Sequence, residues 1–309
     1  MSTTIQQPAL RRLAPSSVGA RVRLAIANGL IITKRNMLTL IRVPNVFIFE
    51  LVQPVMFVLL FRYIYANQFR SLPPHVTYVM FLMPGIFVQN AIFGSTTTAI
   101  GLAEDMKRGI VDRFRSLPMA RSAVLLGRTT FDLAKNLLLV AIVIVIGYLV
   151  GFRFQNGFPS AVGMVVLVLA VGFAFSWISA CIGLALKEVE AVQAASFTWI
   201  FPVVFVSSAF VPVQGMASFM QPIANNNPVT IWCNFARYLA LGVDGIIDPV
   251  TIWCNLARYL ALGDKGIVDI ITRQPIDTFE GLLVKSVIWI VAILAIFVPL
   301  STRLYRRLT

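Results

Sequence analysis

Residues Glu104 to Arg121 read EDMKRGIVDRFRSLPMAR, the densest charged stretch between two long apolar runs. Lys107, Arg108, Arg113, Arg115 and Arg121 stand in it against Glu104, Asp105 and Asp112. Wound as a helix at about 100° per residue, it puts Met106, Ile110, Phe114 and Leu117 on one narrow stripe and gathers Glu104, Arg108, Asp112 and Arg115 opposite. Glu104 and Arg108 make an i,i+4 ion pair in that helix, and Pro118 ends it. An amphipathic helix between membrane spans either lies on the headgroups or lays its stripe into a groove on another protein. In the second case it is a mechanical handle.

The runs on either side set the class. Of 309 residues, 58% are hydrophobic and 13% charged, and the apolar residues come in stretches too long for a soluble core, so the chain reads as a polytopic membrane protein. A net charge of +13 in a soluble chain would suggest nucleic acid, but here most Lys and Arg flank apolar runs, where topology and anionic lipid account for them. No nucleic-acid partner is expected. Residues 1–20 lack the apolar core of a cleaved signal peptide and are expected to form a disordered cytoplasmic tail, with 21–309 a single transmembrane domain.

The expected architecture is all-α, with six transmembrane helices. Arg21–Arg42 is read as an interfacial helix leading into the first span, Pro44–Tyr65, which holds Glu50 and the pair Gln53-Pro54. A carboxylate inside a span is costly, so Glu50 either sits near an interface, pairs inside the bundle, or marks a pathway with Gln53. The second span runs over about Val76–Leu102, the third Phe131–Phe152, the fourth Ala161–Leu186, the fifth to about Val213 and the sixth Leu283–Leu300. Lys and Arg near the span ends number seven in the tail and lead-in, six from Glu104 to Arg128 and three at the C-terminus, against one in each alternate short loop. Positive-inside then puts both termini and the handle in the cytoplasm.

The segment before the last span carries a duplication. PVTIWCNFARYLALG at Pro228–Gly242 recurs as PVTIWCNLARYLALG at Pro249–Gly263, a period of 21 residues within 227–263. Two copies are too few for a solenoid, which needs about three. Each opens with Pro and closes with Gly, as a short re-entrant or interfacial helix does. Trp232, Tyr238, Trp253 and Tyr259 suit a membrane boundary. Arg237 and Arg258 either line an exit, as part of a gate, or snorkel. Cys233 and Cys254 either pair on an oxidising side or are one cysteine copied.

No GxxxxGK[ST] loop, HExxH or carboxylate pair occurs, and the single histidine, His75, leaves most acid-base and zinc schemes without parts. No catalytic residue, metal or cofactor is expected on this chain. Within the spans the ionisable residues are few: Glu50, Arg62, Asp132, Lys135 and Lys285. A conduit with a handle and no energy chemistry is driven from outside.

Gly109–Arg128, GIVDRFRSLPMARSAVLLGR, resembles the signature between spans two and three of bacterial ABC-2-type permeases of the daunorubicin/doxorubicin-resistance type. Phe81-Leu82-Met83-Pro84-Gly85 is similar to that family's second span, and Asn227-Pro228-Val229-Thr230 with Arg237 and Gly242 to its outer motif. The resemblance implies a bacterial cell-membrane permease that pairs with an identical or homologous second permease subunit and with two ABC ATP-binding subunits. ATP would then be bound only by those partners. It also implies that Met106, Ile110, Phe114 and Leu117, flanked by Arg113 and Arg115, seat as a coupling helix on the ATP-binding subunit. The cargo would be a drug, antibiotic, lipid or, in a second reading, a glycan. A membrane-embedded lipid-modifying enzyme using Glu50, Arg237 and Arg258 is the alternative from another class. The chain departs from the family pattern in carrying the outer element twice.

The exact repeat yields a direct expectation. Deleting one copy, Asn227 to Ile247, should leave a protein that still inserts and folds, read as a monodisperse peak after detergent extraction; complete loss of expression would show that both copies are needed.

Overall fold

The computed structural model describes residues 33–34, 36–38, 40, 42, 44–65, 77–109, 122–242 and 279–307. Among them every regular element is a helix: α1 (Pro44–Tyr65), α2 (Tyr78–Gly94), α3 (Thr96–Lys107), α4 (Ser122–Val150), α5 (Gly157–Leu186), α6 (Val189–Phe205), α7 (Gln221–Asn226), α8 (Pro228–Leu241) and α9 (Phe279–Arg307). The described residues before α1 are helical as well, and Thr33 Oγ1 ties them to α4 by donating to Gly127 O at 2.9 Å.

Five helical rods are long and apolar enough to cross a membrane: α1, the pair α2–α3, α4, α5 and α9. The expected fifth span is shorter. α6 has 17 residues, about 26 Å of helix, and stops at Phe205 rather than near Val213 because the chain turns at Val206 beyond Pro202. α8, about 21 Å long, is too short to cross a hydrocarbon core of about 30 Å. It packs on α2, α5 and α9, and is buried on nearly every side. The first copy is therefore a short helix buried inside the bundle rather than one lying on its surface. Its Asn227 cap, Pro228 at the first turn and Gly242 at the end match the sequence expectation. The second copy lies outside the described residues.

α2 and α3 form one rod, Tyr78–Lys107, at the centre of the bundle, with α5 packed along both halves. α1 and α4 pack on this rod and α9 on α5 and α8; all three expose large apolar side chains, among them Phe49, Met56, Leu138, Leu149, Val284 and Ile288, as helices facing lipid or another apolar partner do. Leu102, Leu125, Trp177, Leu184 and Tyr305 meet at the Lys107 end of the bundle, with Met106 packed against them.

That contact corrects the first reading of the handle. Glu104, Met106 and Arg108 do not begin a separate amphipathic helix: α3 ends at Lys107, and Gly109 follows at φ +66. A left-handed glycine after the last turn closes a helix, here with Arg108 N and Gly109 N bonded to the carbonyls of Glu104 and Met106. The expected Glu104–Arg108 pair does form, at 3.4 Å on the surface. Ile110, Arg113, Phe114, Arg115 and Leu117 lie outside the described residues.

α3 and α5 touch through backbone. A Cβ built on Gly183 would lie 2.5 Å from Ala99 O and 3.0 Å from Ala99 Cα, neither of which can move without bending α3. Gly183→Ala should therefore lower stability by about 1–3 kcal/mol. Gly163→Ala, whose Cβ would meet only the Leu239 methyls at 3.5 and 3.9 Å, should leave it unchanged. Thermal unfolding of both variants in detergent compares the two.

Candidate functional site

The rod α2–α3 is broken near its midpoint at Ser95, in a run of four hydroxyl residues, Ser95-Thr96-Thr97-Thr98. A break leaves carbonyls that water cannot reach in an apolar bundle, so side chains must take them. Ser95 Oγ donates to Ile92 O at 2.6 Å, Thr96 Oγ1 to Phe93 O at 2.8 Å and Thr97 Oγ1 to Gly94 O at 2.8 Å. Ser95 Oγ also lies 3.0 Å from Ser179 Oγ of α5.

Against this break α4 presents Arg128, Asp132 and Lys135, spaced so that all three fall on one helix face. Lys135 Nζ donates to Thr97 Oγ1 at 2.6 Å and reaches Glu50 Oε1 of α1 at 3.0 Å. Thr98 donates to Asp132, and Thr97 Oγ1 stands 3.4 Å from the other carboxylate oxygen. Arg128 donates to Thr97 O at 2.9 Å and stacks over Phe131 at 5.8 Å. Asp132 is wholly buried and Lys135 nearly so. Two positive and two negative groups share one pocket of the bundle, which is the condition under which charges persist in an apolar interior.

Glu50 thus pairs inside the bundle, one of the readings the sequence left open. Gln53, one turn on, is half-buried. Sequence reasoning counted Asp132 and Lys135 as scattered intramembrane charges and passed over Arg128 and Ser95–Thr98. The signal was there: a basic, an acidic and a basic residue at helical spacing, and four hydroxyls in the middle of an apolar run.

A second polar cluster lies toward the Tyr78 end of the rod. Arg237 of α8 is 1% exposed, so it neither snorkels nor lines an open exit. Its Nε donates to Phe81 O at 2.9 Å, and its terminal nitrogens donate to Ser208 Oγ and Asn234 Oδ1, each at 3.0 Å, and to the carbonyls of Ser208 and Ala209. The guanidinium lies 3.7 Å over the Phe81 ring. Asn227 works beside it: Nδ2 donates to Val203 O at 2.6 Å and Val206 O at 2.7 Å, while Oδ1 accepts from Val229 N at 2.9 Å. One side chain caps the start of α8 and the end of α6 together. Trp232, expected at a membrane boundary, is a fully buried core residue, and Cys233 is buried beside it. Arg258 and Cys254 lie outside the described residues.

Each carboxylate and guanidinium of the two clusters is bound to other parts of the fold, and among the described residues no group of three His, Cys, Asp or Glu is placed to hold a metal.

The profile of the ABC-2 type transporter family matches residues 28–241. The chain is 32% identical over 195 residues to a daunorubicin resistance ABC transporter permease protein of Streptomyces coeruleorubidus, covering 63% of this chain and 68% of that protein. It is 25% identical over 234 residues to a probable doxorubicin resistance ABC transporter permease protein of Mycobacterium tuberculosis, covering 74% and 82%. A putative transport permease of Cyanophora paradoxa is 25% identical over 211 residues, covering 68% and 72%.

The ion pair between α1 and α4 makes a measurable demand. Lys135→Met leaves Asp132 and Glu50 short of a counter-charge and should cost about 3 kcal/mol or more. Glu50→Gln combined with Lys135→Met should cost less than the two single changes added together, in a double-mutant cycle on detergent unfolding; additive losses would show that the pair is not coupled.

Proposed function

Because the chain belongs to the ABC-2 type transporter family, we propose that it is the membrane-spanning subunit of an ATP-driven exporter that moves a hydrophobic or amphipathic molecule out of the cytoplasm or the inner leaflet. Permeases of this family work with an ABC ATP-binding subunit. Here two copies of that subunit bind and hydrolyse ATP, and this chain binds no cofactor. A second permease subunit, identical or homologous, completes the conduit in the bacterial cell membrane, with both termini cytoplasmic. The cargo is a drug, antibiotic or lipid, by likeness to relatives named for resistance to daunorubicin and doxorubicin.

The observation that carries this reading is the position of α3. Its buried helix leads from the hydroxyl-lined break at Ser95 straight to Lys107 and Gly109, and the next residues are the handle segment with Ile110, Arg113, Phe114, Arg115 and Leu117. A pull on that segment acts first on α3, and through Thr97 and Thr98 on α4 and α1. Glu50 and Gln53 then sit on the helix most loosely held by the bundle, where a pathway between two permease subunits would open. A glycan cargo is the second reading; it differs in what is moved and not in the machinery.

The handle is tested by its apolar face. Phe114→Asp with Leu117→Asp should abolish co-purification of the ATP-binding subunit while the permease itself still elutes as a folded species. Undiminished co-purification and transport would contradict the assignment.

A further inference from the structure

α8 is held by a small set of side chains, and the chain contains that set twice. Thr230 Oγ1 accepts from Ser208 N at 3.1 Å, Trp232 Nε1 donates to Ser286 O at 3.5 Å, and Asn234 accepts from Ser208 Oγ at 3.1 Å. Arg237 binds the 208–209 turn, and Leu239 lies on Gly163. The second copy supplies Thr251, Trp253, Asn255, Arg258 and Leu260 at the same spacings. The seat itself is built from α2, α5, α9 and the turn after α6, none of which belongs to either copy.

Between Asn227–Gly242 and Asp248–Gly263 two positions differ, and both touch the seat. Phe235 packs on Phe279 with ring centroids 5.6 Å apart, where the second copy has Leu256. Asn227 is the sharper difference. Its amide donates to two carbonyls of α6, whereas Asp248 at that place has two acceptor oxygens and no donor. Asp248 can still cap the helix, but its carboxylate would face Val203 O and Val206 O with nothing to offer them.

The connections permit either copy. α9 begins beside the end of α8, with the Tyr238 and Phe279 rings 5.5 Å apart, so residues 264–278 alone are long enough to join a seated second copy to α9. On the other side the loop from α6 would lengthen by one repeat, and closure entropy grows only with the logarithm of loop length.

We propose that Asp248–Gly263 is an alternative occupant of the α8 seat in its own chain, so that the buried helix exists in two registers 21 residues apart and Asn227 favours the first. The repeat then moves a spare segment from one side of the seat to the other, and loss of Arg237 is compensated by Arg258.

A competition inside one full-length chain tests this. Cys181, Cys233 and Cys254 are replaced by Ala, and Gly163→Cys, Leu239→Cys and Leu260→Cys are introduced together. The protein in membranes is treated with a short bifunctional methanethiosulfonate, and peptide mass spectrometry measures the 163–239 and 163–260 products. With Asn227 in place, the 163–239 product should exceed the other by roughly tenfold or more, the worth of two hydrogen bonds. Asn227→Asp should raise the 163–260 share several-fold, with the Phe235–Phe279 contact still favouring the first copy, and Arg237→Ala should make 163–260 the major product. Should the arginine variant fail to reach the membrane, the Asn227→Asp ratio decides alone. Absence of the 163–260 product with Asn227→Asp, or its occurrence only between two chains, would overturn the proposal.

Discussion

An apolar bundle offers a polar group little water, which favours a fold that answers its helix breaks and charges with other parts of the protein. That constraint organises the structure at two places. Where the central rod breaks, the hydroxyls of Ser95, Thr96 and Thr97 take the carbonyls of Ile92, Phe93 and Gly94. Where α6 stops short, Asn227 and Arg237 take the carbonyls of Val203, Val206 and Ala209. The short α6 and the buried α8 are therefore one device: α8 enters the bundle far enough to finish what α6 leaves open.

The same constraint explains why the intramembrane charges form a cluster. Arg128 and Lys135 stand against Glu50 and Asp132: Arg128, Asp132 and Lys135 of α4 are bonded to Thr97 and Thr98 of α3, and Lys135 reaches Glu50 of α1. Although Glu50 Oε2 and Arg128 Nε have no partner, the cluster ties three helices together in register. α1 is little buried; Phe57 and Phe61 stacked on Phe210, the buried Val58 and the Glu50–Lys135 pair are what fix its position. The weakly held helix, the broken rod and the handle segment are linked in series, the arrangement a conduit needs if its motion is imposed from outside.

Much of the fold was legible from residue order because membrane spans advertise themselves by length and apolarity, and α1, α4, α5 and α9 appear where the apolar runs lie. The short helix in Pro228–Gly242 was equally plain from its proline and glycine. What failed to show was depth. Arg237 and Trp232 carry the chemistry of interfacial residues, and only the carbonyls of the 208–209 turn and the Ser286 carbonyl reveal them as core groups. The handle was misjudged at its start for a related reason. Met106 has the right periodicity for an amphipathic stripe, but it belongs to the end of α3, which closes at Gly109, and it packs with Leu102 and Tyr305. Periodicity reports which residues share a face; it does not report what that face meets.

The central claim is that force applied near Lys107 by a nucleotide-bound partner is transmitted along α3 into the bundle. Pulsed electron paramagnetic resonance between spin labels at Lys107→Cys and the exposed Phe219→Cys, at opposite ends of the molecule, reads this directly. The account predicts one narrow distance distribution for the permease alone and a displaced one when the ATP-binding subunit is present with a non-hydrolysable nucleotide. An identical distribution in both states, with the partner demonstrably bound, would contradict it.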